Sequence, residues 1–158
     1  IYNRGISSNK VFQLADRWDA DCLALKPDVL SILVGVNDYW HTLTHGYKGT
    51  VETYRDDYVR LLTATREKLP GVRLIIGEPY ALKGVKAVDD SWYPAFDAYR
   101  AAARDIAERF GAAFIPYQSI YDKALKLAPA AYWSVDGVHP TLAGARLMAQ
   151  AWLHVVGG

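Results

Sequence analysis

Asp136 and His139 stand three residues apart in the run Ser134-Val135-Asp136-Gly137-Val138-His139-Pro140. If Gly137 helps that turn to close, the carboxylate can bond one imidazole nitrogen, fix the tautomer and leave the other nitrogen free to take a proton. The same residues also suit a plain surface Asp-Gly turn followed by a solvent-facing histidine. Two other stretches carry comparable polar groups. In Gly35-Val36-Asn37-Asp38, directly after an apolar run, the Asn37 amide can aim an N–H at a ligand oxygen, or satisfy its own turn. In Asn3-Arg4-Gly5-Ile6-Ser7-Ser8-Asn9, Gly5 lets a main-chain N–H approach a substrate closely, or serves as a turn glycine.

Other candidate groups are weaker. His41 and His45 are four apart, which can hold a metal on a helix, but they follow a strand-end loop and no cysteine or carboxylate completes a ligand set. No metal site is expected. His154 falls on the polar side of the last helix and reads as solvated. Most of the five Trp and eleven Tyr have core spacing. Tyr39, Trp40, Tyr80, Trp92 and Trp133 fall in loops. Trp40, Tyr80 and Trp133 are the candidates for substrate contact, with packing under a loop as the alternative.

These residues need elements to place them. Val11, Leu14, Ala15, Trp18, Cys22 and Leu25 have helical spacing, with Ser7, Ser8 or Asn9 as cap. Residues 29–34 form a strand apolar on both faces, as expected under helices on each side. The clearest helix carries Val51, Tyr54, Tyr58, Leu61, Leu62, Thr65 and Leu69 on one face, and Pro70-Gly71 ends it. A second buried strand covers 72–77 and a loop 81–92. A helix with Phe96, Tyr99, Ala103, Ile106 and Phe110 inward comes next, followed by a short strand at 112–115. Residues 117–127 are helical, and a loop over 128–139 leads to a final helix beginning at Pro140 and carrying Met148, Ala151, Trp152 and Val155. Strands alternating with helices make one α/β domain with a parallel sheet. In such sheets ligands bind beyond the carboxyl ends of the strands, so the three polar loops should converge on one rim.

Composition removes several classes. With 51% apolar and 22% charged residues in 158, the chain can build a core and is not disordered. A net charge of +1 without a basic cluster argues against nucleic acid, and no apolar stretch approaches the length of a membrane span. The single cysteine, Cys22, forms no internal disulfide and leaves the compartment open. Oligomeric state is not legible. Gly-x-Gly-x-x-Gly and Walker patterns are missing, so a nucleotide site is not expected.

Together, the Asn-Arg-Gly-Ile-Ser stretch, Gly35-x-Asn37-Asp38 and Asp136-x-x-His139-Pro140-Thr141 with Gly144 resemble, in order and spacing, the later blocks of the SGNH hydrolases, or GDSL-type lipases and esterases. The resemblance implies a three-layer α/β/α, flavodoxin-like fold. It also implies a serine ester hydrolase without metal or organic cofactor. It makes the Gly5 N–H and the Asn37 side chain oxyanion-hole donors, His139 the general base and Asp136 its orienting acid. Ser8 stands where many relatives carry glycine. Small acyl esters of carbohydrates, acetyl above all, are the expected substrates, because flat loop aromatics suit sugar faces. A lysophospholipase or thioesterase on the same scaffold is the alternative, as is a binding module that has lost its nucleophile.

One block of the family is missing. The nucleophilic serine there lies in a Gly-Asp-Ser-like motif before the Gly5 block, and residues 1–158 contain no such motif. Ser7 and Ser8 read as helix caps, Ser31 lies inside a strand, Ser91 in the long loop and Ser119 on a helix. Ser134 is too near Asp136 to receive its histidine in the usual geometry. The expectation is therefore a single domain over 1–158 whose first strand and nucleophile come from an upstream segment.

Overall fold

A computed structural model describes residues 1–157. The elements run α1 (Val11–Ala15), α2 (Trp18–Asp21), β1 (Val29–Leu33), α3 (Val36–Thr44), α4 (Val51–Lys68), β2 (Arg73–Gly77), α5 (Ala95–Arg109), β3 (Ala113–Ile115), α6 (Tyr117–Ala124), α7 (Ala130–Trp133) and α8 (Leu142–Gly157), with short 3-10 turns at Leu23–Leu25 and Asp90–Trp92. The strands form a parallel sheet in the order β1-β2-β3, and Ser31, Ile75 and Ala113 lie level across it.

The pleat sends alternate β2 side chains to two cores. Leu74 and Ile76 pack with Ile32 beneath α4 and α5, among Tyr54, Tyr58, Leu62, Phe96 and Ile106. Ile75 faces the other way, with Ile115, Tyr117 and Tyr121, against Leu147, Met148 and Trp152 of α8. Helices thus cover both faces of a parallel sheet, the expected three-layer α/β arrangement.

Four local expectations are corrected. The first helix is not continuous, because Arg17 and Cys22 leave helical geometry (φ −125°, ψ 8° and φ −128°, ψ −63°). Arg17 turns back toward the N-terminus, donating to Asn9 Oδ1 at 3.2 Å and to the Arg4 carbonyl at 2.8 Å. The loop from Arg4 to Asn9 is tied down by this side chain. The helix start shifts as well. Lys10 is the capping position, with its N–H on Gln13 Oε1 at 3.0 Å, and none of Ser7, Ser8 and Asn9 caps it.

β1 was expected to be covered on both faces, but only the side carrying Ile32 is buried; Val29 is 41% and Leu33 47% exposed. On the other side α8 lies mainly over β3 and reaches β1 through Trp152, whose Nε1 donates to Ser31 Oγ at 3.1 Å. Finally, α8 starts at Leu142 and not at Pro140, which instead bridges to Ser134. Thr141 caps the helix, its Oγ1 accepting the Gly144 N–H at 3.2 Å.

Candidate active site

The loop between α7 and α8 builds its own rigidity before it offers any chemistry. Ser134 is fully buried; its hydroxyl donates to the His139 carbonyl at 2.8 Å and accepts the Gly137 N–H at 2.8 Å. The Leu82 N–H reaches the Gly137 carbonyl at 2.8 Å, and the Ala87 N–H reaches the Asp136 carbonyl at 2.9 Å. Gly137 itself sits at φ +106°, in the region that favours glycine.

Asp136 occupies the middle of this frame. Its Oδ1 accepts the Val138 N–H at 3.0 Å and the His139 N–H at 2.8 Å, while Oδ2 meets His139 Nδ1 at 2.8 Å. Partial burial alone would raise the Asp136 pKa. The hydrogen bonds from the His139 main chain and ring and from Val138 outweigh it, holding the carboxyl below the ordinary carboxylate range. The ionised carboxylate then fixes the proton on Nδ1. Nε2, on the opposite side of the ring, is left without a partner among the described residues, on a side chain that is 64% exposed. Ser134, by contrast, spends its hydroxyl on the turn and is no nucleophile here.

Asn37 arrives from a different element. Residues 35–38 were expected to be a loop, yet Val36 already begins α3, so Asn37 and Asp38 lie in its first turn. Gly35 makes this abrupt change possible: at φ +128°, with Tyr54 Oη 3.0 Å and Pro79 Cγ 3.1 Å from where a Cβ would stand, no larger residue fits. Asn37 Nδ2 donates to the Asn9 carbonyl at 3.3 Å, which joins α3 to the end of the Gly5 loop. The Gly5 N–H donates to Asn3 Oδ1 at 3.0 Å, in an exposed turn. One turn further along α3, the Trp40 ring lies 6.4 Å from that of His139, centroid to centroid. The helix that presents Asn37 therefore borders the Asp136–His139 pair.

The aromatic candidates divide. Trp40 stays partly exposed beside His139. Tyr80 is only 5% exposed and packs on Tyr121 at 4.6 Å and Tyr117 at 6.3 Å, so it is a core residue and not a rim contact. Trp133 is half-buried, and its Nε1 is shared between the Ala124 and Ala128 carbonyls at 3.1 and 3.2 Å, fastening α6 to α7. Tyr39 and Trp92 are buried as well. Burial of a Trp or Tyr under a loop follows from its large apolar area once an inward direction exists, and the loop sequences do not give that direction.

His41 and His45 end up at α3 and its C-terminal cap, with ring centroids 4.3 Å apart. His41 Nδ1 is 3.0 Å from Lys10 Nζ, and among the described residues no three His, Cys, Asp or Glu come together as metal ligands. The pKa of His41 is lowered by burial and by the neighbouring Lys10 and His45. Two residues that tie these segments together were not singled out in the sequence: Arg17, and Asp38, whose Oδ1 accepts the Val11 N–H at 3.1 Å. A carboxylate directly after an apolar strand was the available signal for the second.

A fixed carboxylate–imidazole pair beside a three-layer α/β sheet, with an Asn in the first turn of a bordering helix, is an arrangement able to support acyl transfer. The chain belongs to the GDSL-like lipase/acylhydrolase family, which it matches over residues 1–147, and its class of activity is carboxylic ester hydrolysis. It is 32% identical to an acetylxylan esterase of Geobacillus stearothermophilus, over 99% of this chain and 72% of that protein. Among solved structures it resembles a GDSL-like lipase from Parabacteroides merdae (TM-score 0.98, 60% identity, 99% of this chain and 72% of the other). It also resembles the Geobacillus acetylxylan esterase (TM-score 0.87, 29% identity, 99% and 71%). Catalytic mutants of that esterase replace a serine, an aspartate and, three positions after the aspartate, a histidine. No described helix is long and apolar enough to cross a membrane.

Proposed function

We propose that this protein removes small acyl groups, acetyl in particular, from carbohydrate esters, with His139 as general base, Asp136 as its orienting acid, and Asn37 and the Gly5 N–H as oxyanion donors. The observation that carries the reading is the 2.8 Å Asp136 Oδ2–His139 Nδ1 bond, beside the helix that bears Asn37 in its first turn. A carboxylate and histidine three residues apart match the spacing of the residues replaced in the catalytic mutants of the Geobacillus esterase.

In this mechanism His139 Nε2 takes the proton of a serine hydroxyl as the oxygen attacks the ester carbonyl. The imidazolium then gives that proton to the departing sugar oxygen. The negative charge that forms on the carbonyl oxygen falls to Asn37 and, once the incoming oxygen displaces Asn3 Oδ1 from it, to the Gly5 N–H. An oxyanion donor of this kind is worth about 3 kcal/mol. Water activated by His139 releases acetate from the acyl-enzyme, with no metal or organic cofactor. The serine is assigned to sequence outside these 158 residues, within the same domain. β1 is an edge of the sheet, and its outer main-chain groups support a further strand there. Trp40 supplies the flat ring against which a sugar face can stack.

The test uses the full-length protein. A fluorophosphonate probe should label one serine, acetylated xylo-oligosaccharides should be deacetylated, and His139→Ala should abolish both while the fold is retained. Rates that rise with acyl-chain length would support the lysophospholipase or thioesterase reading. Absence of serine labelling would support a binding module, and near wild-type turnover in His139→Ala would sink the mechanism.

A further inference from the structure

The candidate machinery leaves one buried charge without a task. Asp38, next to Asn37 in the first turn of α3, is 2% exposed. Its Oδ1 accepts the Val11 N–H at 3.1 Å, and its Oδ2 has no hydrogen-bond partner among the described residues. The charged and titratable groups facing it are Lys10 before α1, Tyr47 after α3, Tyr54, Asp57 and Tyr58 on α4, and Tyr99 on α5. Burial pushes its pKa up; the Val11 N–H, its own N–H and the Lys10 charge oppose this, with Asp57 a small addition, and the result is about 6. A carboxylate so placed is a burden on the fold at neutral pH, and a neutral residue would be easier to bury.

What the carboxylate secures is the start of α1. The Val11 N–H it grips is two residues past Asn9, and the Asn9 carbonyl is the acceptor of Asn37 Nδ2 at 3.3 Å. An amide nitrogen is planar. Once one N–H is committed to Asn9, the direction of the other is set. We infer that Asp38 is a positioning residue for the oxyanion site: it clasps the Val11 main chain, and through the Asn9 carbonyl turns the second Asn37 N–H toward the reacting oxygen. This rests on the assignment of Asn37 as an oxyanion donor.

The experiment measures kcat and KM of the full-length protein on 4-nitrophenyl acetate. The variants are Asp38→Ala, Asp38→Asn, Val11→Pro and Asn37→Ala, each alone, and the first and third also combined with the last. Val11 is the first residue of α1, and Lys10 before it is extended (φ −107°, ψ 170°), the conformation a following proline requires. Val11→Pro therefore deletes the donor and keeps the backbone. Asn37→Ala should lower kcat by about 100- to 1,000-fold. Asp38→Ala and Val11→Pro should each lower kcat about tenfold with KM nearly constant, since part of that stabilisation is lost by misalignment. Asp38→Asn keeps the acceptor and should stay within about threefold of wild type. With Asn37 already replaced, neither Asp38→Ala nor Val11→Pro should cost anything more. An unchanged kcat in Val11→Pro, or an equal loss in both backgrounds, would overturn the inference; these readings stand even if Asp38→Ala fails to fold. Wild-type kcat in Asn37→Ala would overturn the oxyanion assignment itself, and this inference with it.

Discussion

Gly137→Ala is the sharpest test of how the turn holds the Asp136–His139 pair. A Cβ at position 137 would stand 2.7 Å from the Leu82 carbonyl oxygen and 2.5 Å from Val88 Cγ2. The valine methyl can rotate away. The carbonyl is main chain, fixed next to the 2.8 Å Leu82 N–Gly137 O bond, and cannot move without breaking it. The φ of +106° adds strain for any L side chain, about 1–3 kcal/mol. Losing the Leu82 bond and the Ser134 bond adds about 1 kcal/mol each. The expected destabilisation is therefore about 3–5 kcal/mol, read by urea unfolding monitored through tryptophan fluorescence. Gly111→Ala is the control, at φ +60° with nothing within 4 Å of the added atom, and should cost about 1 kcal/mol. In the folded Gly137 variant kcat should fall at least tenfold, because both members of the pair hang from this turn. Equal destabilisation in the two variants, or an unchanged kcat, would refute the reasoning.

Three further outcomes follow from buried charges and from the pair itself. The Asp38 carboxyl rises from 3.8 to about 6 on folding, so its ionisation weakens the fold by about 3 kcal/mol above pH 6 and by nothing below pH 4. Asp38→Asn should therefore be more stable than wild type at pH 8, with the gain shrinking as pH falls toward 4; a gain independent of pH would count against it. Glu78, 2% exposed, takes Arg100 Nε at 3.1 Å and the Gln118 N–H at 3.1 Å. Arg100→Ala leaves that carboxylate uncompensated and should cost about 3–5 kcal/mol in chemical denaturation, whereas a cost under 1 kcal/mol would show the pair to be solvated. For the pair itself, Asp136→Asn should lower kcat by several orders of magnitude with little change in KM, since the imidazole tautomer is no longer fixed; a near-normal kcat would exclude this role.

Local chemistry along the chain was enough for the alternation of strands and helices, the parallel α/β class, and the meeting of Asp136 with His139. Apolar periodicity and turn residues act over a few positions, and the Asp136–His139 spacing closes within one turn. Only the tertiary structure decided which loop aromatics face the rim. Trp40 is held beside His139 by α3, while Tyr80 turns into the core against Tyr117 and Tyr121 of α6. Exposure depends on what packs above a residue, and that partner can lie far along the chain. Arg17 and Asp38 make the same point, the first reaching back to Asn9 and the second from α3 back to Val11. Their partners are 8 and 27 residues away, and only folding brings them within hydrogen-bond reach.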